Sequence, residues 1–174
     1  AGLKVYNREK GKPIINSADA GERIGNIDLA AEYDAMSIAL CAKEGITKDN
    51  DERIAYCTEM LEKGMGLGME PTDLLFDPLF LVIKGMQDKQ KEVLEAIKLI
   101  SDMGLRTCCG LSNVSNGAPK EIRPIMDATF AAMAIQCGLT SAIMNPCDKR
   151  LMETIKTCDV INNAVLYADS YLEL

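Results

Sequence analysis

The sequence predicts an α/β fold built on a parallel sheet. Three observations carry that expectation. Five short apolar runs rich in strand-forming residues recur along the 174 residues, each is followed by a helical pattern, and no hairpin signal joins one run to the next. The runs occupy residues 13–16, 35–41, 74–77, 107–111 and 141–144. They are nearly continuous rather than alternating in polarity, which is how parallel strands buried on both faces read.

The helices announce themselves by spacing. Ile54, Cys57 and Leu61 fall at i, i+3 and i+7. Val93, Ile97 and Ile100 fall at i, i+4 and i+7, with Lys91, Glu95, Lys98 and Asp102 on the opposite side. Phe130, Met133 and Cys137 repeat the pattern, as do Leu151, Ile155 and Cys158, and residues 1–4 read as the end of a helix. Pro124 stands where a first turn tolerates proline, and Gly104 and Gly138 where a helix hands over to a strand.

Two parallel architectures fit this order. A doubly wound sheet normally carries a glycine-rich phosphate loop after its first strand, and neither G-x-G-x-x-G nor G-x-x-x-x-G-K-[ST] is present. Polar residues stand instead at the ends of successive runs (Asn16, Asp77, Asn113, Asn145), a distribution that favours a barrel whose site is assembled from many strand ends. A complete eight-unit barrel needs about 250 residues. The chain is therefore expected to be the C-terminal five βα units of one barrel domain over residues 1–174, with a five-stranded open sheet as the alternative.

Composition narrows the chemistry. Hydrophobic residues make up 48% and charged residues 26%, as in ordinary globular domains. A net charge of −7 argues against nucleic acid and anionic membranes as partners. Histidine is absent, which excludes Ser-His-Asp and Cys-His catalysis and histidine-ligated zinc. The seven cysteines include no C-x-x-C pair, so zinc-ribbon and iron–sulfur sites have no support, and reduced buried thiols are expected. No run approaches the roughly 18 apolar residues of a membrane span, and residues 1–6 form no signal peptide, so a cytoplasmic location is expected.

Residues 110–115, reading Gly-Leu-Ser-Asn-Val-Ser, together with Arg123-Pro124, the segment 129–134 and Cys137-Gly-Leu139, resemble the seventh strand and following helix of the pterin-binding methyltransferases. Ile14-Ile-Asn-Ser17 resembles that family's fourth strand, Phe76-Asp-Pro-Leu79 its sixth, and residues 141–148 its eighth. The order is preserved over essentially the whole chain. The similarity is greatest to the methyltetrahydrofolate:corrinoid/iron–sulfur protein methyltransferases, with dihydropteroate synthase a more distant relative by fold.

The resemblance implies a (β/α)₈ barrel that moves a methyl group from 5-methyltetrahydrofolate to the cobalt(I) of a corrinoid protein. It places the protein in one-carbon metabolism, in the acetyl-CoA pathway, as a homodimer partnered by a corrinoid (iron–sulfur) protein. Asp77 is assigned to the aminopyrimidine edge of the pterin, because a carboxylate accepts two parallel N–H bonds. Asn16, read as a strand-end residue, is assigned to the alternating donor and acceptor edge of the ring. Asn113 is the expected catalytic residue, directed at the methyl-bearing nitrogen, with Ser112, Asn116 and Arg123 as further binding residues. Without the family, Asp77 reads equally as an N-cap or loop ion-pair residue and Asn16 reads better as a cap of the next turn. Asp19, Asn145 and Asp148 also stand at strand ends, but their spacing demands no metal and none is assigned. A dihydropteroate-synthase-like condensation and a non-catalytic scaffold are the alternative functions.

Overall fold

The computed structural model describes residues 1–173. Four strands, β1 (Ile14–Asp19), β2 (Met36–Leu40), β3 (Leu74–Asp77) and β4 (Arg106–Thr107), lie side by side in chain order, every neighbouring pair parallel. That order separates the two architectures left open by sequence. A doubly wound sheet reverses at a switch point, whereas a barrel wall adds each new strand on the same side. The molecule has the architecture of part of a (β/α)₈ barrel.

Helices cover one face: α1 (Gly2–Val5), α2 (Gly25–Glu32), α3 (Asn50–Gly66), the single-turn α4 (Ile83–Met86), α5 (Gln90–Asp102), α6 (Arg123–Gln136) and α7 (Lys149–Ile161). Asp49 starts α3 by accepting from the Glu52 N–H, and Asp148 starts α7 by accepting from the Leu151 N–H. The stripe Val93, Leu94, Ala96, Ile97 and Ile100 turns α5 inward, and all five are buried. Gly138 ends the turn after α6 at φ 103°, and a Cβ there would collide with Ser101. Position 138 is therefore glycine for two reasons, backbone and space.

Strand registers sort the side chains. Ala39, Leu74 and Phe76 point outward into a core with Ile27, Cys57, Met60 and Ile100. Ile38, Leu75 and Cys108 form the inner cluster of the wall, with Met36 against it. A second outer core joins Phe80, Ile97, Leu111, Phe130 and Leu151, in which the rings of Phe80 and Phe130 meet edge-on at 5.0 Å.

Three expectations need correction. β1 continues past Asn16 to Asp19, with a register shift between Asn16 and Ala18, so Asn16 lies mid-strand. The run 107–111 is strand only at its start; the chain then coils into a 3₁₀ turn at Leu111–Asn113. The run 141–144 forms no regular strand. It contributes one parallel bridge, Gly110 to Ile143, plus backbone bonds from Ser141 N to Thr107 O and Ile143 N to Cys109 O. Its sheet neighbour is the end of β4 and the segment that then leaves strand geometry, so no ladder propagates. The helix after the 13–16 run is α2, which supplies the buried Ile27 and Ala30.

A buried charge holds the wall to its helices. Arg53 of α3 is fully buried and pairs with Glu92, while its Nε donates to Pro78 O at 3.2 Å and its Nη1 to Asn50 Oδ1 at 2.7 Å. The chain leaving β3 is thereby tied to both α3 and α5, one residue beyond Asp77.

Candidate functional site

Side chains at the tips of the strands diverge in environment. In a parallel pair, residues directly opposite share a face. Asn16 stands opposite Ile38, and Ile38 opposite Leu75, which puts Asn16 on the inner face. Asp77, two residues beyond Leu75, shares that face. Two strand spacings and two residues of rise separate the Cα atoms of Asn16 and Asp77 by about 12 Å.

Asp77 is half-buried and has one partner, the Leu79 N–H, which donates to Oδ1 at 2.8 Å. Burial pushes its carboxyl up to about 6, against the pull of that single N–H. Asp19 lies in the same row, across Leu40 from Asp77. There Oδ1 accepts from Gly21 N at 3.0 Å and Arg23 N at 2.9 Å, and Oδ2 from Arg23 Nε at 2.7 Å. Burial alone would raise Asp19, but the arginine and the two backbone donors outweigh it and hold the carboxyl below its ordinary value. Asp19 is fully engaged by its own chain.

Beyond β4 the irregular turn opens a cleft of about 560 Å³ between the turn and the first turns of α6 and α7. Ser112, Asn113, Asn116 and Arg123 all line it, and Asn16 and Asp77 do not. Asn113 owes its pose to a glycine. An ideal Cβ on Gly110 would lie 3.2 Å from Asn113 Nδ2, so the amide is folded over the bare Cα. Gly110 lies beyond the end of β4, where it bridges to Ile143. Among the described residues no side chain or backbone group hydrogen-bonds the Asn113 amide. Asn116 is exposed, and Arg123 is steadied by its Nε donating to Ala118 O at 2.8 Å.

Sequence reasoning missed Lys120 and Asp127, which also line this cleft. Asp127 stands four residues after Arg123, a spacing that reads as an ordinary solvated helix pair, so nothing in the letters marked it. Burial raises its carboxyl, with Asp148 adding to the rise and Ser115 and Arg123 opposing it.

The thiols of the segment leaving β4 are unsuited to nucleophilic work. Cys108 and Cys109 are buried and burial pushes both above the ordinary thiol value, so neither is a thiolate at neutral pH. Cys147 is the exposed exception to the expectation of buried thiols. Asp19 and Asp148 are engaged by Arg23 and by the α7 N-terminus, and among the described residues no three acidic or thiol groups gather as a metal site. No described helix is long and apolar enough to cross a membrane.

A family model for pterin binding enzymes matches residues 1–145. The chain belongs to the pterin-binding enzyme family. A methylcorrinoid:tetrahydrofolate methyltransferase of Eubacterium limosum is 24% identical over 124 residues, covering 70% of this chain and 45% of that protein. Among solved structures, Yersinia pestis dihydropteroate synthase with a pterine-sulfa conjugate aligns with a TM-score of 0.68 at 16% identity, over 86% of this chain and 61% of that one. The Xanthomonas albilineans dihydropteroate synthase in complex with 7,8-dihydropteroate aligns at 0.69 and 15% identity, over 86% and 59%. These likenesses establish the fold of the pterin-binding chain. It spans less than two thirds of the length of each of these relatives.

Proposed function

We propose that the protein carrying this chain transfers a methyl group between 5-methyltetrahydrofolate and the cobalt of a corrinoid protein. The observation that carries this reading is the Asn113 amide, poised over Gly110 at the mouth of the wall with no hydrogen-bond partner among the described residues. A tertiary amine is a poor leaving group, so the ring nitrogen must carry a proton before the methyl departs. The Asn113 oxygen accepts from that N–H and stabilises the protonated form. As the C–N bond breaks, its electron pair stays on nitrogen and quenches the charge that the amide dipole has been holding. Asn113 is exposed, and once ligand and partner cover it one such hydrogen bond contributes about 1–3 kcal/mol.

Asp77 offers an open oxygen to the N–H donors of the aminopyrimidine edge, and Asn16 reads the ring from across β2. About 12 Å between their Cα atoms leaves room for two side chains and a bicyclic ring between them. The corrinoid, brought by a partner protein, supplies the nucleophile. That division of labour fits a site without histidine and with its buried thiols held protonated.

The relative from Eubacterium limosum is named with tetrahydrofolate beside a methylcorrinoid, and that name favours a second reading in which the same site runs in reverse, with folate as the acceptor. Single-turnover assays of the full-length protein in both directions separate the two. In the productive direction Asn113→Ala is expected to lower methyl transfer at least tenfold while weakening folate binding less. Undiminished single-turnover transfer by the variant would falsify the assignment. Calorimetry with methyltetrahydrofolate that shows no binding to the wild type would point instead to a scaffold subunit.

A further inference from the structure

Two costly features meet on the peptide that follows Asp77. Leu79 has φ 66°, in the left-handed region that a residue with a Cβ adopts only when its surroundings impose it. Arg53 is fully buried, and its Nη2 has no hydrogen-bond partner among the described residues. A buried ion pair is a poor source of net stability, and an unmet nitrogen makes it poorer. Between these two features the chain has little freedom. Proline fixes its own φ and keeps the residue before it extended, and the Asp77 carbonyl accepts from Cys41 N at 2.8 Å. What can still turn is the planar peptide between Pro78 and Leu79, which changes Pro78 ψ and Leu79 φ together. That plane is held at both ends. Its oxygen accepts from Arg53 Nε at 3.2 Å, and its N–H donates to Asp77 Oδ1 at 2.8 Å. Turning it would release Leu79 from the left-handed region and break both bonds.

We propose that Arg53 is a positioning residue for the ligand-binding carboxylate: by holding the Pro78 carbonyl from the α3 side, it keeps the Leu79 N–H on Asp77 Oδ1 and leaves Oδ2 free for the ligand's N–H donors. The guanidinium is itself held. Glu92 pairs with Nη1, Asn50 Oδ1 accepts from Nη1 at 2.7 Å, and Asn50 Nδ2 donates to Glu92 O at 3.0 Å. Arginine suits the place because its nitrogens are fixed in one plane, so a single side chain reaches a backbone oxygen and a carboxylate together, whereas lysine offers one point charge. The inference rests on the folate reading above and adds to it a residue, remote from the ligand, that sets affinity.

Calorimetry with 5-methyltetrahydrofolate on the full-length protein, repeated across pH, tests this. Arg53→Met removes the donor while Glu92 keeps Lys89 as a partner at 2.9 Å. Affinity is expected to fall about tenfold, the effect of one hydrogen bond to a charged group, with the single-turnover rate at saturating ligand within about twofold of wild type. The pH at which binding weakens should move above about 6, because the Leu79 N–H no longer steadies the charge on Asp77. The titratable groups around Asp77 leave that range clear: Cys41 is raised by its contact with Cys57 and by burial, Cys108 and Cys109 are raised by burial, and Asp19 is held below its ordinary value. Adding Leu79→Gly to Arg53→Met should restore most of the lost affinity, since glycine takes the left-handed region without being held there; an arginine that served only the fold would not be rescued in this way. Should Arg53→Met fail to fold, Arg53→Lys keeps a charge opposite Glu92 and carries the same expectations. Undiminished affinity in the Arg53 variants, an unmoved or lowered pH midpoint, or no rescue by Leu79→Gly overturns the positioning role while the folate reading stands. No binding by the wild type overturns both.

Discussion

At the tip of β1, Asp19 gives both oxygens to its own chain, accepting from Gly21 N, Arg23 N and Arg23 Nε. Across one strand in the same row, Asp77 accepts only from Leu79 N and is otherwise desolvated. The same residue type in the same row is held below its ordinary carboxyl value in the first place and pushed up to about 6 in the second. The contrast extends to whole regions. The β1 tip is closed by local donors, whereas the mouth from β3 to α7 leaves Asp77, Asn113 and Arg123 with open hydrogen-bonding capacity. Groups that a chain satisfies by itself serve the fold, and groups it leaves open at the mouth are where a ligand is expected.

The open mouth needs rigid backing, and the largest effect is expected there. Glu92→Ala leaves Arg53 buried with its charge uncompensated. Denaturant unfolding should show a loss of about 3–5 kcal/mol. A loss under about 1 kcal/mol, the size of a surface pair, would show that the backing of the mouth does not depend on this pair.

Asp77→Asn tests the open side directly. On the proposed reading it lowers folate affinity by about 10- to 100-fold, the range for a hydrogen bond to a charged group. Stability should move the other way. Folding raises the Asp77 value from an ordinary 3.8 to about 6, so the folded state holds the proton more tightly. Wild type therefore loses stability relative to the variant as pH rises through that window, and the loss is complete at neutral pH. Folate binding, which needs the ionised form, should weaken as pH falls through about 6, and the variant should flatten that profile. A variant less stable than wild type at pH 7 would place Asp77 with Asp19, among the closed groups.

Asp19→Asn is the converse. Its value is depressed on folding, so its contribution is present at neutral pH and is lost on acidification through the folded value. Unfolding should cost about 1–3 kcal/mol less at neutral pH, with folate affinity unchanged. A fall in affinity equal to that of Asp77→Asn would erase the distinction between the two tips.

The parallel fold was legible because burial on both faces writes continuous apolar runs, and the 74–77 run matches β3 residue for residue. Its arrangement was less so. β1 runs three residues past Asn16 across a register shift, and after Thr107 the chain leaves the strand for backbone bonds with Ile143, distant in sequence. At the candidate site, Ser112, Asn113, Asn116 and Arg123 were found through a motif that keeps them within a dozen residues. Asp127, whose buried Oδ1 meets no partner, escaped notice because no spacing rule records which hydrogen bonds a folded chain fails to make.

Gly110→Ala makes the smallest and most local change. The backbone there, at φ −88° and ψ 88°, suits any residue, so no conformational penalty is expected. The added methyl meets Asn113 Nδ2 at 3.2 Å, a contact that a side-chain rotation relieves. Stability should change by less than about 0.5 kcal/mol. Methyl transfer should fall several-fold, because a displacement well under 1 Å misdirects an amide that has to meet one N–H. Because the methyl acts on Asn113 and on nothing else nearby, Gly110→Ala combined with Asn113→Ala should be no slower than Asn113→Ala alone. Additive losses would mean that Gly110 contributes to the mouth by some route other than the pose of Asn113.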